Sequence, residues 1–228
     1  MRAAASHCSG PGRPWHVLTD HQEWSAPPLP LPTAPGAWHQ LAAAGGWQVV
    51  VADTAHPITH DLVAARAFGT PALTAEWCSL PMSVPVLAAP ATGSGVAALQ
   101  RAIRAIVAEG LPLRRMVVAL VQLGGGRPPA VVRAAAAMLQ PQVSAVVHVP
   151  FDDRIHTHGL ADGHRITARK TREAGEEIAR AVLASARHTW GEPLPAAAVP
   201  APARGPAPPV APVALSLRPA PAEEEVPA

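Results

Sequence analysis

Four short runs of Val, Ala and Leu punctuate the chain, at residues 47–53 (Trp-Gln-Val-Val-Val-Ala-Asp), 84–89, 116–121 and 143–149. None alternates strictly between apolar and polar positions. Near-continuous runs of this length suit strands covered on both faces, as in a parallel sheet. Between and after them the period becomes helical. Val96, Leu99, Ile103, Ile106 and Val107 fall on one stripe, with Arg101 and Arg104 turned away and Thr92 or Ser94 placed to cap it. Pro128 and Pro129 open a second helical stretch, in which Val131, Ala135, Met138 and Leu139 repeat before Pro141 closes it. A third runs from about residue 168 to Trp190, with Ile178, Ala181, Val182 and Ser185 inward. Its wet face carries the i,i+4 pairs Arg172–Glu176 and Glu176–Arg180. Strand–helix alternation implies right-handed crossovers. The expected fold is α/β, a doubly wound, mostly parallel sheet with helices on both faces.

Residues 1–46 are rich in Pro and Gly, with Pro27, Pro28, Pro30, Pro32 and Pro35 clustered, and read as an irregular segment with one candidate strand at 16–20. Residues 47–190 form the α/β domain. Residues 193–228 hold 11 of the 28 prolines, and most of the rest is Ala, so residues 191–228 are expected to be disordered and partly polyproline II. A spacer is a plainer account of this tail than a ligand for an aromatic groove. Trp15, Trp24, Trp38 and Trp47 lie without paired basic clusters and read as packing residues rather than base-stacking ones.

Composition narrows the function. Hydrophobic residues make up 49% and the formal net charge is +2, with the basic residues dispersed, which excludes a protein built chiefly to neutralise phosphates; there is no clear nucleic-acid patch. Lys170 is the one lysine and asparagine is absent, the codon bias of a GC-rich genome, so any lysine-dependent mechanism has a single candidate. Cys8 and Cys78 form no C-x-x-C, which argues against a zinc or thioredoxin-like site. The first fifteen residues contain no apolar signal core, and charged residues interrupt every stretch long enough for a transmembrane segment, so a soluble cytoplasmic protein is expected.

In an open parallel sheet, ligands bind beyond the carboxyl ends of the strands. The loops to inspect are therefore 53–57, 90–95, 122–126 and 150–153. Asp53, at the end of an apolar run and followed by Thr54, suits a magnesium position in a nucleotide site; an Asp that merely caps a turn fits the same residues. His148, Asp152, Asp153, His156, His158 and His164 raise a metal hypothesis, but their spacing matches no familiar ligand framework, and His156 and His158 diverge if helical. Ser94 lies in Thr-Gly-Ser-Gly rather than a nucleophile elbow and reads as a capping residue. Gly124–Gly126 reads as a flexible turn into the Pro128 helix.

Taken in order, these motifs resemble the later two-thirds of the MinD/ParA group of P-loop ATPases, over roughly residues 15–190. The matching pieces are Val49-Val50-Val51-Ala52-Asp53-Thr54, Val86-Leu87-Ala88-Ala89-Pro90, Val117 to Gln122, and Val149-Pro150-Phe151-Asp152, with Val17-Leu18-Thr19-Asp20-His21-Gln22 as an earlier strand and turn. The resemblance implies ATP and magnesium as cofactors. It implies Asp53 and Thr54 in the magnesium and switch loop with Asp20 nearby, and Gln122, Pro150, Phe151 and Asp152 flanking the base. Gln122 stands where that family has an asparagine. The resemblance also implies a homodimer and a protein partner in partitioning, positioning or secretion.

The family's glycine-rich, lysine-bearing Walker A loop is missing: Lys170-Thr171 follows Arg169 and stands at the last helix rather than after the first strand. The expectation is a truncated start or a degenerate member, weak or inactive as an ATPase. Two readings stand beside it: a non-catalytic scaffold using the α/β domain and Pro-rich tail, and a metal-dependent hydrolase around His148–His164.

Overall fold

A computed structural model describes residues 6–8, 15–17, 34–54, 56–159 and 168–192. Three of the four apolar runs form a parallel sheet: β3 (Val86–Pro90), β4 (Val117–Val121) and β5 (Ala145–Val149), in the order β3-β4-β5. The register sets Val86 opposite Val117 and Val117 opposite Ala145, and ends with Pro90, Val121 and Val149 level. Backbone bonds extend the ladder past both ends, from Val117 N–H to the Pro85 carbonyl at 3.0 Å and from Ala91 N–H to the Val121 carbonyl at 2.7 Å. Before the sheet comes a two-stranded antiparallel ribbon, β1 (Ser6–Cys8) with β2 (Trp15–Val17).

Seven α-helices occur among the described residues: α1 (Pro35–Gly45), α2 (Ile58–Phe68), α3 (Leu73–Ser79), α4 (Gly93–Ala108), α5 (Ala130–Leu139), α6 (Asp153–His158) and α7 (Arg169–Trp190). Successive strand residues point to opposite faces. Leu87, Ala89, Val118, Leu120 and Val146 therefore share one face, where they pack with Val96, Leu99 and Ile103 of α4 and Val132, Ala135 and Leu139 of α5. Val117, Ala119 and Val147 point the other way and are buried where α7 contacts β4 and β5. Ile58 and Leu62 of α2, Cys78 of α3, Ile106 of α4 and Met116 form a second cluster on the α4 side. Full burial of side chains such as Ile106 and Leu120 is worth roughly 1.5–3 kcal/mol each.

Arg115 ends the 3₁₀ turn Leu113–Arg115 and ties two helices to the strand that follows. Its Nη2 donates to the Cys78 carbonyl at 2.8 Å, at the carboxyl end of α3, and its guanidinium lies 4.9 Å from the Trp190 ring centroid in α7. Ser185 of α7 donates its hydroxyl to the Arg115 carbonyl at 2.8 Å.

Several expectations need correcting. Residues 47–53 form no strand: they have no regular structure, and Val49 and Val51 are 74% and 91% exposed. A strand exists only through a paired neighbour, and this run has none among the described residues. Of the candidate strand at 16–20, residues 16 and 17 lie in β2, which pairs antiparallel in a small ribbon, and residues 18–20 lie outside the described residues. The segment 1–46 is not irregular throughout, because Pro35 starts α1 and Gly46, in the left-handed region (φ 73°), ends it. Val107 is exposed, one residue beyond the buried Ile106. In α5 Ala135 and Leu139 are buried as expected, but Val132 takes the inward place expected for Val131, which is exposed, and Met138 is 65% exposed. The tail, residues 193–228, lies outside the described residues. No helix among the described residues is long and apolar enough to cross a membrane.

One backbone approach is tight enough to dictate a residue. A Cβ on Gly95 would lie 2.0 Å from the Pro90 carbonyl oxygen, whereas a Cβ on Gly93 meets nothing nearer than Val131 Cγ1 at 4.0 Å. Gly95→Ala is expected to destabilise the domain by about 1–3 kcal/mol, because α4 must move off β3. Gly93→Ala is expected to be near neutral. Urea unfolding of both variants checks this pair.

Candidate functional site

The carboxyl ends of β3 and β4 open into one cleft. It has a volume of about 230 Å³ and runs from Ala91 and Thr92, past Gln122, to the Gly124–Gly126 turn and Arg127. The ladder builds its floor: Ala91 N–H donates to the Val121 carbonyl, and Gln122 N–H donates to the Val149 carbonyl at 2.9 Å. Gln122, half-buried, is thereby held at the end of the central strand.

Two helices begin at this cleft. Thr92 caps α4, its hydroxyl accepting from Gly95 N–H at 3.0 Å and lying 3.1 Å from the Ser94 hydroxyl. Pro129 precedes α5, whose first turn has no side-chain cap. First-turn amides have no intrahelical acceptor, and the helix dipole adds positive potential there. The flexible Gly turn and the exposed Arg127 complete a rim suited to an electron-rich or anionic group. A pocket for a whole drug-sized ligand occupies about 300–1,000 Å³. The cleft is below that range.

The expected site residues fare differently. Gln122 lines the cleft. Pro150 and Phe151 follow β5 and are half-buried, and the Phe151 ring sits against His156 with centroids 5.5 Å apart. They adjoin Gln122 through the ladder but are not part of the cleft lining. Asp53 and Thr54 are exposed on the unpaired run and do not line the cleft either. Asp20 lies outside the described residues. Sequence reasoning missed Arg127, which no motif marks.

Asp152 is buried and committed to backbone. Its Oδ2 accepts from Ala168 N–H at 2.7 Å, joining the β5 loop to the start of α7. Its Oδ1 accepts from Arg154 N–H at 3.1 Å and Ile155 N–H at 3.4 Å, capping α6. The Ala168 bond contributes most to holding the carboxyl below its ordinary range; burial opposes this, and the two α6 amides add to the lowering. The group therefore positions the loop that follows β5.

Metal and nucleophile chemistry find less support. Among the described residues no three His, Cys, Asp or Glu side chains gather to hold a metal ion. His156 and His158 are two positions apart on α6 and diverge, and His164 lies outside the described residues. Burial pushes the Cys78 thiol up to about 11; Arg115 opposes the rise and Asp61 adds to it. Cys78 is thus a neutral thiol at physiological pH, not a nucleophile. For ATP the fit is partial: the Gln122 amide and the size of the cleft suit a base, while the residues expected to hold magnesium stand apart from it.

Against known proteins, no family model, no curated protein and no solved structure matches this chain.

The depressed Asp152 carboxyl makes a signed prediction. A carboxyl with a lowered folded pKa stabilises fully above its unfolded value, about 3.9, and that stability is lost as pH falls through the folded value. The gap in urea midpoint between the parent protein and Asp152→Ala is expected to be full at pH 7 and to narrow steadily below about pH 4. A gap that persists unchanged at pH 2 contradicts the role assigned to the charge.

Proposed function

We propose that this α/β domain binds an adenine nucleotide at the carboxyl edge of its sheet and serves as a nucleotide-responsive switch of the MinD/ParA kind, without efficient hydrolysis of its own. The observation that carries this reading is the cleft at the ends of two adjacent parallel strands, with the Gln122 amide on its wall and the first turns of α4 and α5 on its rim. A carboxamide offers a donor and an acceptor side by side, which suits the hydrogen-bonding edge of a purine. The helix amides and Arg127 suit the sugar-phosphate side. Hydrolysis needs a positioned water and strong charge on the transferred phosphate. Lys170, the one lysine, is exposed on α7 and is not among the residues that line this cleft.

On the same reading the protein is cytoplasmic, and binding is coupled to a homodimer or to a protein partner, as the family resemblance implies. The scaffold reading has its own support in the uncovered outer face of β3, where Val86, Ala88 and Pro90 are exposed. The first of these is 43% exposed.

Titration calorimetry with ATP, ADP and adenosine, each with magnesium, decides the matter. Adenosine is expected to retain measurable binding, because the cleft takes the base end. Gln122→Ala is expected to weaken binding by about 2- to 10-fold, the worth of a net hydrogen bond. No heat from any of the three ligands at millimolar concentration would sink the nucleotide reading.

A further inference from the structure

The sheet has an unfinished side. In a parallel ladder every second residue of a strand turns its N–H and C=O toward a given neighbour. The Pro85 carbonyl and the Ala91 amide both bond to β4, so Leu87 and Ala89 face β4, and Val86 and Ala88 present their backbone groups outward. No described residue pairs with that outer edge. Pro90, last in the strand, offers only a carbonyl. An apolar, unprotected edge of this kind recruits another strand.

A complementary segment lies in the same chain. Residues 47–52 are rich in Val, have no regular structure, and expose nearly all of Val51. They lead through residues 53–57 directly into α2. That helix packs beside α4, and α4 in turn packs beside α5. Helices α4 and α5 are the crossovers from β3 to β4 and from β4 to β5. The place next to α4, on the side away from α5, is where a right-handed crossover into β3 from a strand on its outer edge puts its helix. α2 packs against α4 and shares the cluster of Ile106 and Met116 rather than the one that α4 forms with α5, as such a crossover helix would.

We infer that residues 47–52 dock on the outer edge of β3 as a fourth parallel strand. Levelling the carboxyl ends, as the other three strands do, pairs Gln48 with Val86, Val50 with Ala88 and Ala52 with Pro90. Val49 and Val51 then share the face of Leu87 and Ala89, beneath Ile58 and Leu62 of α2, while Gln48 faces away from the helix layer. A shift of one residue would instead bury Gln48 and expose the two valines, so the pattern selects this register. The occupant is the chain's own segment rather than a second copy because a short tether holds it at an effective concentration in the millimolar range. The same docking carries Asp53 and Thr54 to the rim on which Thr92 and Gln122 stand. It does not depend on the nucleotide reading.

Amide-resolved hydrogen exchange on the full chain, without nucleotide, tests it. In the stated register Val49 N–H donates to the Val86 carbonyl and Val51 N–H to the Ala88 carbonyl, while Val86 and Ala88 donate back. These four amides are expected to exchange about tenfold or more slowly relative to Gln48, Val50 and Ala52, independently of protein concentration. Val51→Pro removes one donor and is expected to release Val86 and Ala88, while Val118 and Leu120 stay protected and report an intact core. Fast exchange at all four amides overturns the inference, as does protection of Val86 and Ala88 that rises with protein concentration or survives Val51→Pro.

Discussion

β4 is the member on which the rest of the domain depends. It pairs in parallel on both sides, and Val117 through Leu120 are buried on both faces in succession. No polar side chain could occupy those positions without an unmet hydrogen bond. The two helix layers, the level strand ends and the cleft at Gln122 all follow from one fully enclosed strand.

Two polar groups then fix what surrounds it. Arg115, just before β4, donates to the end of α3, packs against Trp190 of α7 and offers its carbonyl to Ser185. Burial lowers its pKa while the neighbouring Cys78 thiol raises it. Asp152, just after β5, receives three backbone amides and binds α6 and α7 to one end of the sheet. One tether serves the amino end of the sheet and the other its carboxyl end. The second explains why a carboxylate beside the cleft is poorly placed for ligand chemistry: its lone pairs are already occupied. A group held by three amides rigidifies the loop it sits in, and a rigid loop keeps the neighbouring Gln122 wall in place.

The cleft itself is small, and its chemistry comes mostly from backbone. Helix first turns, a glycine turn and strand ends supply donors whose positions depend on where the elements sit. Gln122 and Arg127 are the side chains that add direction and charge. This combination favours a small planar or anionic group, and the Cys78 thiol is buried and neutral.

Three of the four strands, the stripe of α4, the inward face of α7 and the capping of α4 by Thr92 were legible in the sequence, because each is a local pattern of burial or a short-range bond. Gln122 was legible as the residue leaving the third apolar run. The short helices α2, α3 and α6 were not, because their periods are too brief to separate from loop. The first inward residue of α5 was not either: Val131 and Val132 are equally apolar, and only contact with Val118 and Leu120 chooses between them. The commitment of Asp152 to Ala168, sixteen positions away, and the convergence of Arg115 on Cys78, Trp190 and Ser185 are long-range events that no window of residues contains. The run at 47–53 marks the boundary most plainly. Its composition determined that it can be a strand, but pairing takes two partners, and that decision belongs to the tertiary structure.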